Sequence, residues 1–412
     1  MLMQKEKEIL RRLAGQYMEI ASLPIQQEKV SMWKALNAGN MTRPMVAIDQ
    51  IPWHEFDSHE LLRPGVADPF WQEIERHLRR KLFQWAYFPA DMVVEPFIPI
   101  PMSVSGQHYG IEIKEETVAT DTRNDIVSHS YKNQLEEEAD IAKIQDMYIV
   151  HDAAETARHL ASAEEIFKGI APVYASGIQF HAGLWDFAAQ LMGVEHIYFD
   201  LVDRPELMHQ IMRRFTDATI AGIKQANALS VHDGSASTCH CSYIYTDALL
   251  PGPAEGRGGT SQDTWAFGMA QLFSSVSPDT TKEFELPYIQ EIAGYFGGFY
   301  YGCCERLDDR MELILQIPNL RKISCSPWSD CNAFAERIGP NLVMSAKPAP
   351  SFLAGESVDY ETVEKDLRHT AEAARRNHVN LELILKDIST VGYDPARLTK
   401  WSALALRIAE GG

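Results

Sequence analysis

Apolar positions near the start of the chain recur with a helical period. Ile9, Leu10, Leu13, Tyr17 and Ile20 fall on one face, which predicts an amphipathic helix over Lys5–Leu23. The short apolar run Met45–Ile48 predicts a strand that ends in polar and aromatic residues. PFWQEIERHLRRKLFQW predicts a helix, and VVEPFIPIPM an extended segment interrupted by proline. From Gln107 to about Val150 the chain is polar and charged, with EEE and DIAKIQDM hinting at a short helix. No regular repeat organises this first third, so residues 1–150 are predicted to form a helical and irregular N-terminal cap packed on a body at 151–412.

The body has a different rhythm. A strand is predicted at Ala171–Phe180, then a helix over LWDFAAQLMG that closes at Gly193. Asp203 and Pro205 signal another helix start, with apolar periodicity to Leu229 and a short strand at Leu229–His232. Ser277-Pro278 opens a helix that Gly297-Gly298 closes, and Phe299–Cys303 is a compact apolar run. Helix Asp308–Ile317, strand Lys322–Ser326, helix Asp330–Ile338 and strand Leu342–Ser345 follow. Helix Asp359–Asn377, strand Leu381–Leu385 and helix Pro395–Ala409 complete the alternation. Strands alternating with helices in this way require parallel strands joined by right-handed crossovers. No GxGxxG or GxxxxGK[ST] motif supports a nucleotide-binding doubly wound sheet. The expected fold is therefore an α/β (β/α)8 TIM barrel, one domain with the N-terminal cap.

Composition narrows the function classes. With 412 residues and 45% hydrophobic content, the chain is ordinary globular material rather than disordered or collagenous. A formal charge of −19 argues against wrapping nucleic acid, and no apolar run approaches the roughly 20 residues of a membrane helix. The opening MLMQKEKEILRRL has charges where a secretion signal needs an apolar core, so a cytoplasmic protein is expected. The six cysteines all lie beyond residue 238 and cluster in pairs, which fits reduced thiols better than a disulfide framework.

In a barrel the reacting groups project from the C-terminal ends of the strands. Cys303, Cys304 and Glu305 close one predicted strand, and Pro327, Trp328 and Asp330 follow another. Lys347 follows a third, Lys386 and Asp387 a fourth, and Gln179 and His181 end the first strand of the body. Cys303 and Glu305 point the same way if the strand extends through them, and thiolate with carboxylate suits zinc. The plain alternative is a packed strand end whose Glu305 pairs with Arg306 or Arg310. Cys239-His240-Cys241 is a second metal-capable cluster, with unligated loop thiols as its alternative. Lys347 and Lys386 could hold an anion, form a Schiff base if desolvated, or pair with Asp330 and Asp387.

The run FGMAQLFSSVSPDTTKEFELPYIQEIAGYFGGFYYGCCERLDDRMELILQIPNLRKISCSPWSD resembles the uroporphyrinogen decarboxylase superfamily, on the branch near corrinoid-dependent methyltransferases. FDLVDRPELMHQIM, SAKPAP, ILKDISTV, IPWHEF and SHSYKNQ extend the likeness over most of the chain. The resemblance implies a (β/α)8 barrel that is a monomer or homodimer. It also implies methyl transfer between a methylated corrinoid, carried by a partner protein, and a small acceptor. Zinc would serve as thiol activator. The methylcobamide:coenzyme M methyltransferases carry a His-x-Cys zinc motif at this strand end and a distant cysteine near the last strand. Tyr301-Gly302-Cys303 stands at the first position, and Lys386-Asp387 at the second. The implied site has Glu305, Lys386 and Asp387 as catalytic groups and Cys303 with Glu305 as metal ligands. Gln179, His181, Tyr301, Trp328, Asp330 and Lys347 would contact substrate, with Trp328 as a hydrophobic wall. His108, His129 and Tyr131 could cap the opening. The decarboxylases instead hold propionates on an arginine loop. Arg12-Leu13-Ala14-Gly15-Gln16-Tyr17 approaches that signature, but Leu13 and Tyr17 belong to the apolar helix face. A cofactor-free decarboxylase or lyase, and a corrinoid or ligand binder without turnover, are the other readings.

Overall fold

The computed structural model describes residues 2–119, 127–249 and 259–412. Seven strands form one sheet: β1 (Met45–Ile48), β2 (His181–Ala182), β3 (Trp265–Gly268), β4 (Gly298–Tyr301), β5 (Leu320–Cys325), β6 (Val343–Ala346) and β7 (Asn380–Leu385). Their order is β1-β7-β6-β5-β4-β3-β2 and every pairing is parallel. Chain neighbours are thus sheet neighbours, and the first strand lies beside the last. This is the strand order of a TIM-like fold.

Both faces of the sheet are covered, which is why its strands read as near-continuous apolar runs. Val46, Phe299, Ile323, Met344, Leu381 and Leu383 turn outward onto a core shared with helices Pro205–Leu229, Leu286–Ala293, Tyr360–Arg376 and Ala396–Ala409. Ala47, Trp265, Phe267, Tyr300 and Ile384 turn the other way, onto a core shared with helices Gln4–Ala21, Pro24–Asn37 and Pro69–Tyr87. The first 150 residues therefore supply an edge strand of the central sheet as well as covering helices. The arginine-loop look-alike lies inside helix Gln4–Ala21, with Leu13 and Tyr17 buried.

The expected closed eight-stranded cylinder is not found among the described residues. The remaining wall is a separate parallel pair, Ile98–Pro101 with Val173–Ser176. At the outer edge of Ile98–Pro101 the reason is in the sequence. The amides of Ile98 and Met102 donate to Pro172 and Ser176, so residues 99 and 101 face the opposite edge. Both are proline and have no N–H to offer a further strand. The free edge of β1 is finished instead by Asp91. Its amide donates to the Val46 carbonyl at 2.9 Å, and its carboxylate accepts from the Val46 amide at 2.9 Å. Both oxygens also accept from Arg43, at 2.7 and 2.8 Å. Asp91→Ala would leave a mostly buried guanidinium with only the Pro44 carbonyl, at 2.7 Å, and a strand amide without a partner. Urea melts are expected to show a loss of about 3 kcal/mol.

No helix among the described residues is long and apolar enough to cross a membrane.

Candidate functional site

The site is assembled at the C-terminal ends of β4 and β7 by one inserted hairpin. After β4 the chain turns at Gly302, whose φ of +92° suits glycine and where a Cβ would lie 2.6 Å from Leu307. The turn presents Cys303, and its backbone is held at both ends. Its amide donates to Glu305 Oε2 at 2.7 Å, and its carbonyl accepts from Ser324 Oγ at 2.7 Å. After β7 come Lys386 and Asp387. The hairpin Thr238–Cys239 with Ser242–Tyr243 carries His240 at its tip, the ring stacked on Phe267 at 3.9 Å and 8°.

These segments meet at the sulfur of Cys303. Lys386 Nζ donates to it at 2.9 Å, His240 Nε2 lies at 3.7 Å and Cys304 Sγ at 3.7 Å. Cys304 Sγ lies 3.1 Å from Asp387 Oδ2, so its single proton can serve either that oxygen or the Cys303 sulfur, and Lys386 pairs with the same oxygen at 2.9 Å. Beneath lies a second layer. Cys241 Sγ is 3.6 Å from the Tyr300 hydroxyl, which accepts from Lys347 Nζ at 2.7 Å and meets Ser345 at 2.9 Å.

The electrostatics follow from this packing. A hydrogen bond from Cys304 holds the Cys303 thiol down to about 4; burial opposes it, and His240 and Lys386 add to it. Burial acts to lower His240, yet its bonds to Cys241 and Cys303 raise it to about 9. Burial likewise works against the Lys386 ammonium, and the thiolate charges nearby raise it. Cys304 is pushed up by its bond to Cys303, so one thiolate and one thiol share the pair. The cluster is a desolvated thiolate beside two cations whose nitrogens lie 3.3 Å apart, with a carboxylate alongside.

A group of buried acids backs the thiolate. Burial and the Cys303 charge raise Glu305 to about 7, while Asp186 is raised to about 6, chiefly by burial. Glu305 accepts from the amides of Cys303 and Ala270, at 2.7 and 3.1 Å. Its folded pKa lies above the ordinary 4.5, so between about 4.5 and 7 the folded chain binds more protons than the unfolded one. Stability from this group therefore falls as pH rises through that window. Glu305→Gln is expected to flatten that segment of a stability–pH curve measured by urea melts.

The expected site residues separate into three groups. Cys303, Lys386 and Asp387 come together. His181 lies close by, its ring 6.3 Å from that of His240, and Gln179 donates to the Thr238 carbonyl at the hairpin's base, at 2.7 Å. Lys347 is one layer down, on Tyr300. The others point elsewhere. Glu305 accepts a backbone amide on each carboxylate oxygen, so it braces the loop that carries Cys303. Tyr301 alternates to the helix side, where its hydroxyl donates to Glu285 at 3.0 Å. Asp330 caps helix Cys331–Ile338 through the amides of Asn332 and Ala333. Trp328 is 74% exposed and walls nothing. His129 pairs with Glu115 at 2.6 Å on the antiparallel ribbon Glu115–Val118 with Ser128–Tyr131. The groups that pattern reasoning did not assign are Cys304, Asp186 and Asp49, which follows β1 and feels the charges of His240 and Lys386.

The donor set can hold a metal. Ligand atoms of Cys303, Cys304 and Asp387 lie within 4.8 Å of one another, with the His240 imidazole beside them. Two sulfurs, a carboxylate and an imidazole are the ligand types zinc takes. A dication there would replace the charge now supplied by Lys386.

No known protein-family model matches the chain. No curated protein sequence matches it. Among solved structures it is similar to a methyltransferase from Methanosarcina mazei, with 13% identity, a TM-score of 0.51, and coverage of 92% of this chain and 98% of that one. At that identity the likeness is one of fold.

Proposed function

We propose that the protein is an enzyme of methyl transfer, moving a methyl group between a corrinoid carried by a partner protein and a small acceptor, with zinc bound at Cys303, Cys304, Asp387 and His240. The observation that carries this reading is the desolvated Cys303 sulfur at the strand ends, with Lys386, His240, Cys304 and Asp387 gathered around it. When bound, zinc would supply the Lewis acidity that keeps an acceptor thiol deprotonated near neutral pH. The chain's own groups do the rest. Glu305 and Ser324 fix the Cys303 backbone, so the sulfur cannot drift out of the cluster. Without the metal, Lys386 balances negative charge there and His240 Nε2 can carry a proton beside the sulfur; with it, that nitrogen would be a ligand. Phe267 holds that imidazole flat against the sheet and excludes water from one side.

A cofactor-free decarboxylase would call on Lys386 as an amine. The thiolate beside it favours the ammonium, the wrong form for a Schiff base.

The test incubates zinc-replete protein with methylcobalamin, as a stand-in for the carried corrinoid, and a panel of small thiols, following the cobalamin spectrum. Demethylation that needs zinc and disappears in Cys303→Ala is the expected result. Less than about a tenth of an equivalent of zinc retained after loading, or turnover unchanged in Cys303→Ala, would overturn the reading.

A further inference from the structure

A second cavity, away from the thiol cluster, has the wrong charge for this chain. Its volume is about 410 Å³, and it is lined by Asp57, Leu62, Pro64, Arg76, Arg79 and Arg80. The three arginines lie at i, i+3 and i+4 on helix Pro69–Tyr87, so they share one face.

Their partners differ. Arg79 is buried and fully engaged, donating to Glu75 Oε1 at 2.7 Å and to the Leu61 carbonyl at 2.8 Å. Glu75 in turn accepts from the amides of Gly65 and Val66, which fixes the loop that roofs the cavity. Arg76 pairs with Glu73 at 2.5 Å, but both ends of that pair are solvent-exposed and easily exchanged. Arg80 is different. Its guanidinium lies 4.9 Å over the Trp53 ring, and among the described residues no hydrogen bond or ion pair satisfies it. Asp57 is the only carboxylate in the described wall, and it forms no ion pair with any of the three. Burial and the Arg76 charge lower the Arg80 pKa, as expected for a cation short of a counter-ion. The Trp53 face can hold the fork in place without engaging its N–H donors.

We propose that this cavity is a binding site for a dianionic oxyanion, a phosphate group or a dicarboxylate, gripped by Arg80 and Arg76. A bidentate contact from each guanidinium would satisfy the unpaired donors, which a monoanion or a neutral ligand would do less well. Against a net charge of −19, such a site attracts an anion through a local concentration of positive charge.

The test is calorimetric titration of the whole protein with inorganic phosphate and, separately, malonate, at ionic strength held constant with chloride. Saturable binding with a Kd near or below about 1 mM is expected for at least one of them. It should weaken at least about tenfold in both Arg80→Gln and Arg76→Gln. Arg80→Lys should fall between, because the charge stays while the fork is lost. A stronger phosphate arm assigns a phosphoester and a stronger malonate arm a dicarboxylate; either upholds the site. No saturable heat from either anion, or equal affinity in the two Gln variants and the parent, would overturn it. Should Arg80→Gln unfold, Arg76→Gln decides alone, since its pair with Glu73 is exposed. Neither residue touches the thiol cluster, so this result stands apart from that of the methyl-transfer assay.

Discussion

Lys322→Met is expected to destabilise the protein by about 3–5 kcal/mol in urea melts at neutral pH, the largest single-site effect we anticipate. Lys322 and Glu382 are both fully buried, with Nζ 2.5 Å from Oε2. The ammonium also donates to Ser242 Oγ at 2.6 Å and to the Tyr243 carbonyl at 3.0 Å. Glu382 receives Ser242 at 2.8 Å and Ser345 at 2.5 Å. Removing either charge leaves the other desolvated with only neutral partners: the Ser242 hydroxyl and Tyr243 carbonyl for Lys322, and the Ser242 and Ser345 hydroxyls for Glu382. Replacing both, in Lys322→Met/Glu382→Leu, should recover more than half of the loss, because two apolar groups of similar volume need no partner. A single-variant cost below about 1 kcal/mol would mean that water reaches the pair. The network also ties the hairpin base at Ser242 to β5 and β7, so the same variant should blunt any property that depends on where His240 sits.

The second large effect concerns the reactivity of Cys303 in metal-free protein. With its pKa near 4, Cys303 is thiolate throughout the usual working range. Iodoacetamide should therefore label it at pH 6, where an ordinary thiol is on the order of 0.3% ionised. The pH dependence is the sharper measurement. Labelling followed by peptide mass spectrometry should give a rate that is flat above about pH 5 and falls below it. Lys386→Met removes a cation 2.9 Å from the sulfur and should move the inflection upward, and His240→Ala should act in the same direction. Cys304, whose proton is retained, should remain unlabelled at pH 6. The plateau rate will be modest, since a thiolate of low pKa is a weaker nucleophile. An inflection at ordinary thiol values in the parent protein would remove the thiolate from the site.

Much of the ladder was legible because each of its elements carries its own local signal. The apolar run at 45–48 is strand β1, residue for residue, and Asp203 with Pro205 marked helix Pro205–Leu229 correctly. The strands expected near 299, 322, 342 and 381 are β4 to β7, displaced by one or two residues. Where local signals were weak, the reading failed. β3, with the apolar run WAFG, follows a polar stretch and gave no alternation to detect. Helix Pro24–Asn37 was not expected, because its buried Gln26, Lys29 and Asn37 break the apolar stripe. Those polar residues are buried for tertiary reasons: Lys29 donates to the Ala90 carbonyl at 2.8 Å, and Asn37 to that of Tyr243 at 3.1 Å.

The candidate site divides along the same line. Cys303, Lys386 and Asp387 were legible because each follows a strand, and strand ends of parallel sheets converge. His240 was visible only as part of a loop cluster, since nothing in the spacing says that a hairpin some 60 residues upstream folds back over the strand ends. The bracing role of Glu305 was not legible, because carboxylate chemistry alone does not show that both oxygens accept backbone amides. Tyr301 failed for a simpler reason: alternation along β4 sends it to the opposite face from Tyr300.

The paired prolines at 99 and 101 have a mechanical outcome. A ring of strands zipped all the way round resists any change of girth, because widening it must rupture rungs somewhere. Here, among the described residues, the lines of rungs on both sides of the separate pair are missing, so the opening can spread along them while every existing rung stays intact. Amide exchange would register such breathing as fast turnover flanking residues 98–101, beside slow turnover in the strands opposite.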